Sequence, residues 1–174
     1  MAYSKYLTTW AVVVVCVFFI FSPVIAAELD EAQLAASEGR YRDVVTLLTD
    51  VLESEDLDGP GRVVAHSNRG NAYSLLNAYA LARKDLNEAL KIDPEHALTM
   101  NHLGLLAEKL EQDYRAAADY YERAAVQGFA ASRVNLSKLY ANGLGVGQSD
   151  KKAFDLLQEA VFDDYTIAYE PLGV

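Results

Sequence analysis

Apolar side chains recur every three or four residues along most of the chain, which is the spacing of an amphipathic helix. Beyond Ala27 these amphipathic segments run for about 12 to 16 residues, and no stretch shows the alternation typical of a strand. Short breaks separate them, with the sequences SEGRY, LLNAY, EQDY and VGQSDKKA. The pattern predicts an all-α chain of consecutive helices.

The first 26 residues follow a different pattern. Lys5 is followed by an unbroken apolar run, Trp10–Phe21, then by the helix-breaking Pro23 and by small residues up to Ala27. This layout is typical of a secretory signal peptide, and it predicts cleavage after Ala26, or after Ala27 as the second choice. We therefore expect a signal peptide at 1–26 and one domain at 27–174, in the periplasm or secreted. The alternative is an uncleaved anchor in the inner membrane, if the apolar run continues through Pro23.

Composition narrows the classes of partner. The whole chain carries a net charge of −10, and loss of residues 1–26 leaves 14 basic against 25 acidic residues, a net −11. Such a surface repels nucleic-acid phosphates and anionic lipids, so we expect no nucleic acid and no membrane surface as partner of the cleaved domain. Cys16 is the only cysteine and lies inside the apolar run without a preceding small residue. Lipidation is not expected, and the domain itself can form no disulfide or thiolate metal site.

Similar residues recur with a period of 33 to 36 residues. Gly70 and Gly104 are 34 apart, Leu103 and Leu136 are 33 apart, and Leu136 and Leu172 are 36 apart. This is the period of a helical-hairpin repeat.

The second of these units resembles a tetratricopeptide repeat. The matching positions are Gly70, Tyr73, Tyr79, Ala82, Leu86, Ala89, Asp93 and Pro94. Small residues at Gly70 and Ala82 let two helices approach closely while larger side chains fill the space around them. Arg69 departs from the pattern, because it occupies a place where the family usually has leucine.

The later units resemble the Sel-one-like subclass of such repeats. The third unit does so through its tail from Asp113 to Gly128, and the fourth through Leu136, Tyr140, Gly143, Gly145, Val146, Lys152, Ala153 and Ala160, with serines at 132 and 137 in place of the usual Ala and Gly. The segment NGLGVGQSDKKAF could also suggest a phosphate-binding loop, yet it matches neither GxGxxG nor GxxxxGK[ST] and follows a helical segment. The resemblance implies instead that Gly143 and Gly145 form the turn of a hairpin, in left-handed backbone conformations. Ser149 and Asp150 are the expected N-cap residues of the helix that follows.

Both ends read as incomplete repeats. LAASEGRYRDVVTLLTDVLE is a degenerate first hairpin, the acidic SEDLDGPG after it is an expected loop, and AYEPLGV opens a further unit that stops at once. The resemblance covers most of residues 28–174. It implies a right-handed superhelical stack of three to four helical hairpins.

Candidate catalytic groups are few. The histidines are His66, His96 and His102, and none stands in a metal-ligand or HExxH spacing. The pair Asp163 and Asp164 is unremarkable on so acidic a chain. We therefore expect no enzyme activity, no metal and no cofactor, with a cell-envelope enzyme that uses buried carboxylates as the alternative.

The resemblance places function on the concave groove formed by the first helices of the units. It implies a wall that includes Ser74, Leu98 and Asn135, and a partner-binding set of Ser67, Asn68, Asn71, Asn101, Leu105, Glu108 and Lys138. Amide side chains suit bonding to an extended peptide, and the leucines suit an apolar side chain. The expected function is that of an exported adaptor or scaffold that binds a segment of another protein. A membrane-anchored scaffold is the other alternative.

Overall fold

The structure, a computed structural model, describes residues 25–168. The predicted apolar run and the final YEPLGV therefore lie outside the described residues, and the cleavage site at 26 to 27 falls within a helical stretch. Every regular element between residues 25 and 168 is helical. None of these helices is long and apolar enough to cross a membrane.

The helices form four consecutive pairs, which we call units 1 to 4. Unit 1 is α1 (25–37) with α2 (Tyr41–Glu53), and unit 2 is α3 (Gly59–Leu75) with α4 (Tyr79–Ile92). Unit 3 is α5 (Ala97–Leu106), extended by a π-helical turn (Ala107–Glu111), with α6 (Tyr114–Val126). Unit 4 is α7 (Ala130–Asn142) with α8 (Asp150–Ala168). The predicted all-α stack of helical hairpins is confirmed.

Helix ends follow from local sequence. At the ends of α3 and α7, left-handed Asn77 and Gly143 let the next N–H reach back five residues, from Ala78 to Tyr73 O at 2.8 Å in the first case. Side chains cap several helix starts. Of the two expected caps of α8, Ser149 accepts from the Lys152 N–H at 3.3 Å, whereas Asp150 is the first residue of the helix. The predicted SEDLDGPG loop is shorter than expected, because Asp58 caps α3 and Pro60 lies in its first turn.

The π-helical turn accommodates one extra residue. Gly70 and the buried Ala82 are 12 residues apart in unit 2, whereas Gly104 and the corresponding buried Ala117 are 13 apart in unit 3. A single-residue insertion into a helix is commonly absorbed as one wide turn. The extra residue therefore shifts the hairpin turn and leaves the packing positions of α6 in register.

The core consists of clusters shared between neighbouring units. One joins α1 and α2 to α3, a second joins α4 to α5, and a third joins units 3 and 4. Close approach is extreme in unit 3, where a Cβ on Gly104 would lie 2.7 Å from Cδ1 of the fully buried Tyr121. Each unit thus depends on its neighbours for a buried apolar face.

Candidate functional site

A cavity of about 430 Å³ opens between the first helices of units 1 and 2, and we call it the groove. Helix α2 forms its floor, and Leu98 at the start of α5 reaches it from unit 3. The first helices of three successive units therefore contribute to one recess. Its lining residues are Leu29, Ala32, Gln33, Ala36, Tyr41, Val44, Leu48, Val64, Asn68, Asn71, Ala72 and Leu98.

The lining of the groove is apolar apart from a few uncharged polar groups. Asn68 and Asn71 lie one turn apart on α3, and both are half-buried. Within residues 25–168 neither side-chain amide takes part in a hydrogen bond. Each amide offers a donor and an acceptor to whatever enters the groove.

Two residues of the predicted binding set lie between helices, which corrects their expected position on an open wall. Ser67 is fully buried, with its Oγ 3.2 Å from Nδ1 of His102 on α5. Asn101 is 5% exposed, and its Oδ1 accepts from Ser132 Oγ at 3.0 Å and from Asn135 Nδ2 at 3.2 Å. These side chains connect α3 to α5 and α5 to α7, so they hold the first helices together.

The remaining predicted residues are spread along the stack. Leu105 is half-buried against the cluster shared by units 3 and 4, and Glu108 accepts a hydrogen bond from the Tyr121 hydroxyl at 3.0 Å. Lys138 is exposed on α7, where its Nζ donates to Asn135 Oδ1 at 3.3 Å. The structure thus brings Asn68 and Asn71 together in the groove and places the other five elsewhere.

Arg69, the departure from the repeat pattern, is explained by a charged cluster between the helices. Its guanidinium donates to both carboxylate oxygens of Asp85, at 2.6 and 2.8 Å, and to Thr49 Oγ1 at 3.0 Å. Nδ1 of His66 lies 3.1 Å from Asp85 Oδ1. The cluster thereby joins α2, α3 and α4.

The cluster keeps Asp85 ionised despite its burial. Burial alone would raise the pKa of this carboxyl, but the hydrogen bonds from Arg69 and His66 outweigh it and lower the pKa below 3.8. The stabilisation is complete above the unfolded-state pKa and is lost as the pH falls through the folded-state value. Asp85 therefore contributes to acid unfolding only below about pH 4.

His102 makes the stability of the protein depend on pH in a second, less acidic range. Burial lowers the pKa of its imidazole from 6.5 to about 4, so the folded protein stays neutral there while the unfolded chain takes up a proton. Between pH 7.5 and 4.5 the free energy of unfolding should fall by about 2 to 3 kcal/mol from this residue. Denaturant titrations followed by circular dichroism at both pH values measure the fall.

The matched variant is His102→Gln, which keeps a polar partner for Ser67 and cannot charge. Burial also lowers the pKa of His96, but that residue is present in both proteins, so the difference between them isolates His102. Equal pH dependence in the two proteins would contradict the assignment.

Buried carboxylates are rare in the described part of the chain. Among the residues whose burial the structure gives, Asp85 is the one buried carboxylate, and it is held by Arg69 rather than directed at a cavity. Among residues 25–168 no group of three or more histidines, cysteines and acids could hold a metal ion. A smaller cavity of about 300 Å³ between α6, α7 and α8 has a mixed apolar and charged lining, in which Arg133 pairs with Glu159 and Lys152 lies over the ring of Tyr140.

Comparisons with known proteins agree with this architecture. Residues 63–96, which are most of α3, all of α4 and the turn after it, match the tetratricopeptide repeat family. Over 78 residues the chain is 36% identical to the lipoprotein NlpI homolog of Haemophilus influenzae, a match that covers 45% of this chain and 24% of that protein. The matched segment thus spans about a quarter of that relative.

One solved structure shares the fold of most of the chain. The crystal structure of MamA aligns with a TM-score of 0.58 at 17% identity, covering 83% of this chain and 80% of MamA. A second MamA crystal structure covers 86% of this chain and 97% of its own, with a TM-score of 0.47 at 14% identity. The chain thus has the fold of a stack of helical hairpins, and within it residues 63–96 match the tetratricopeptide repeat family.

Proposed function

We propose that the protein is a non-catalytic adaptor that binds a segment of another protein in the groove. The observation that carries this proposal is the groove itself: the first helices of three units line one recess that holds two half-buried amides without internal partners. Stacked hairpin repeats commonly use the surface of their first helices for binding. Asn68 and Asn71 stay in the proposed contact set, Leu98 joins them, and exposed Lys138 would extend the contact along α7.

An extended peptide satisfies the chemistry of this surface. Its main-chain N–H and C=O groups can bond to Asn68 and Asn71, and each such bond contributes about 1 kcal/mol. An apolar side chain that leaves water for the cavity contributes about 1.5 to 3 kcal/mol more.

The partner can be identified by site-specific photocrosslinking in cells. A photoreactive residue at Val64, 38% exposed and in the groove, should give a defined protein adduct that mass spectrometry identifies. The same residue at Lys84, exposed on α4, is the control position. An adduct formed only from Lys84 would argue for the outer face instead.

Removal of both amides should separate binding from stability. Asn68→Ala combined with Asn71→Ala should weaken binding of the partner found by crosslinking by about 10- to 30-fold, since two hydrogen bonds are lost. The melting temperature should stay the same or rise slightly, because alanine favours helix more than asparagine does. Titration calorimetry and thermal melts on the same samples measure both, with Asn87→Ala on α4 as the matched control. A double variant that binds as tightly as the parent would contradict the groove assignment.

We also propose that residues 1–26 are a signal peptide and that the adaptor, residues 27–174, acts in the periplasm or after secretion. The apolar run supports this proposal, and an envelope location suits a chain that is similar to a lipoprotein.

We further propose that units 3 and 4 are of the Sel-one-like type, with the glycine-rich turn as the supporting feature.

The proposed cleavage can be tested by mass. Intact-mass analysis of exported protein should give a chain that begins at Ala27 or one residue later. Because Trp10 is the only tryptophan, tryptophan emission from that material would contradict cleavage.

A further inference from the structure

We infer that the groove takes an internal, extended segment that inserts one uncharged apolar side chain between α1 and α3, and that it does not take a free C-terminal carboxylate. This inference rests on the proposed function and specifies the chemistry of the partner. It rests on three observations: the composition of the groove walls, the bonding of the arginines on α3 and the volume of the cavity.

The walls of the groove carry no charged side chain. Leu29, Val64 and Leu98 face it from three first helices, and its only polar lining groups are neutral. Transfer of a charge into such surroundings without a partner costs several kcal/mol, whereas an apolar side chain gains by the same transfer. The inserted group is therefore apolar.

The two arginines of α3 are engaged inside the protein. On α3, Arg62 donates to the backbone carbonyls of Leu52, Ser54 and Leu57 at 2.7 to 3.1 Å, and Arg69 is paired with Asp85. Neither 25–37 nor α5 contains lysine or arginine, and α1 carries Glu28, Asp30 and Glu31. A carboxylate entering the groove would find no guanidinium or ammonium group among the lining residues, since the exposed Arg42 of α2 is not one of them. The charge pattern therefore favours an internal segment with neutral or basic flanks.

The size of the cavity limits what can enter. At about 430 Å³ it accommodates one or two side chains of an extended segment. Burial of a Leu, Ile, Met or Phe side chain suits this volume and leaves main-chain groups beside Asn68 and Asn71. The groove thus recognises one apolar side chain of the partner and the peptide groups that flank it.

Selection from synthetic peptides tests the inference. The full chain is exposed to two randomised nine-residue libraries, one N-acetylated with a C-terminal amide and one with a free C-terminal carboxylate, and retained peptides are sequenced. We expect enrichment of Leu, Ile, Met or Phe at one position, depletion of Asp and Glu beside it, and no preference for the free carboxylate.

Matched variants locate the selection. Val64→Glu places a charge on the groove wall and should reduce peptide retention at least tenfold, whereas Val126→Glu, at a site 83% exposed on α6, should not. Asn68→Asp is a second variant of nearly unchanged shape that should also reduce retention, so the test does not depend on the folding of Val64→Glu.

The outcomes distinguish this inference from the proposed function. Selection of carboxylate-terminated or acidic peptides that Val64→Glu abolishes would overturn the inference and leave groove binding intact. Selection that neither groove variant affects would overturn the position of the site. If neither library yields a retained sequence, both the inference and the proposed function fail.

Discussion

Arg69→Leu, which restores the residue usual in tetratricopeptide repeats, should strongly destabilise this protein. The change leaves the carboxylate of Asp85, 5% exposed, with His66 as its remaining partner among the side chains of the cluster. Removal of one partner from a buried ion pair costs about 3 to 5 kcal/mol, because the other charge stays buried without compensation. The melting temperature should fall by about 10 °C for a chain of this size. Denaturant unfolding followed by circular dichroism measures the loss directly.

A double variant tests the reason for that loss. In Arg69→Leu combined with Asp85→Ala no uncompensated charge remains, so at least about half of the lost stability should return. Disruption of the exposed ion pair between Lys91 and Glu88 is the control, because loss of such a surface pair changes stability by less than about 1 kcal/mol. A double variant less stable than Arg69→Leu alone would mean that the cluster acts through packing rather than charge.

The sequence predicted the architecture because each repeat is built from local signals. Spacing of apolar residues gives the helices, small residues such as Gly70 and Ala82 mark the close contacts, and the 34-residue interval fixes the unit. The one-residue insertion in unit 3 was missed, although the 13-residue interval from Gly104 to Ala117 shows it. A π-helical turn needs no special residue type, so counting between packing positions is the available signal.

The binding surface was predicted less well than the fold. Ser67 and Asn68 are neighbours on α3, yet the first is buried against α5 and the second lines the groove. Consecutive residues differ by about 100° around a helix, so a modest error in helix rotation exchanges a buried polar contact for an exposed one. Polar residues spaced one repeat apart, such as Asn101 and Asn135, were a signal for contacts between first helices. The partner of Arg69 was also foreseeable in kind, since a buried cation requires an acid nearby.

The glycine-rich turn between α7 and α8 provides a graded test of backbone conformation. Gly143 and Gly145 have φ of +64° and +68°, which confirms the predicted left-handed turn, while Gly147 lies outside that region. A Cβ on Gly145 would also collide with the backbone carbonyl of Tyr114 and lie 2.5 Å from the Arg115 nitrogen, where α6 begins. A Cβ on Gly143 would lie 3.2 Å from Cβ of Gln148, a tight but smaller contact, and on Gly147 nothing lies within 4 Å.

Gly145→Ala should therefore be the most destabilising of the three alanine substitutions, by about 2 to 4 kcal/mol, because backbone strain and a rigid contact add together. Gly143→Ala should cost about 1 kcal/mol, mainly from backbone strain, and Gly147→Ala should change stability by less than about 0.5 kcal/mol. Thermal and denaturant unfolding of the three variants under identical conditions gives the order. Equal effects at 145 and 147 would contradict the close approach of the turn to α6.

The rival interpretation of this turn as a phosphate-binding loop makes a different prediction. It predicts that ATP or GTP raises the melting temperature of the parent protein and that Gly145→Ala abolishes the rise.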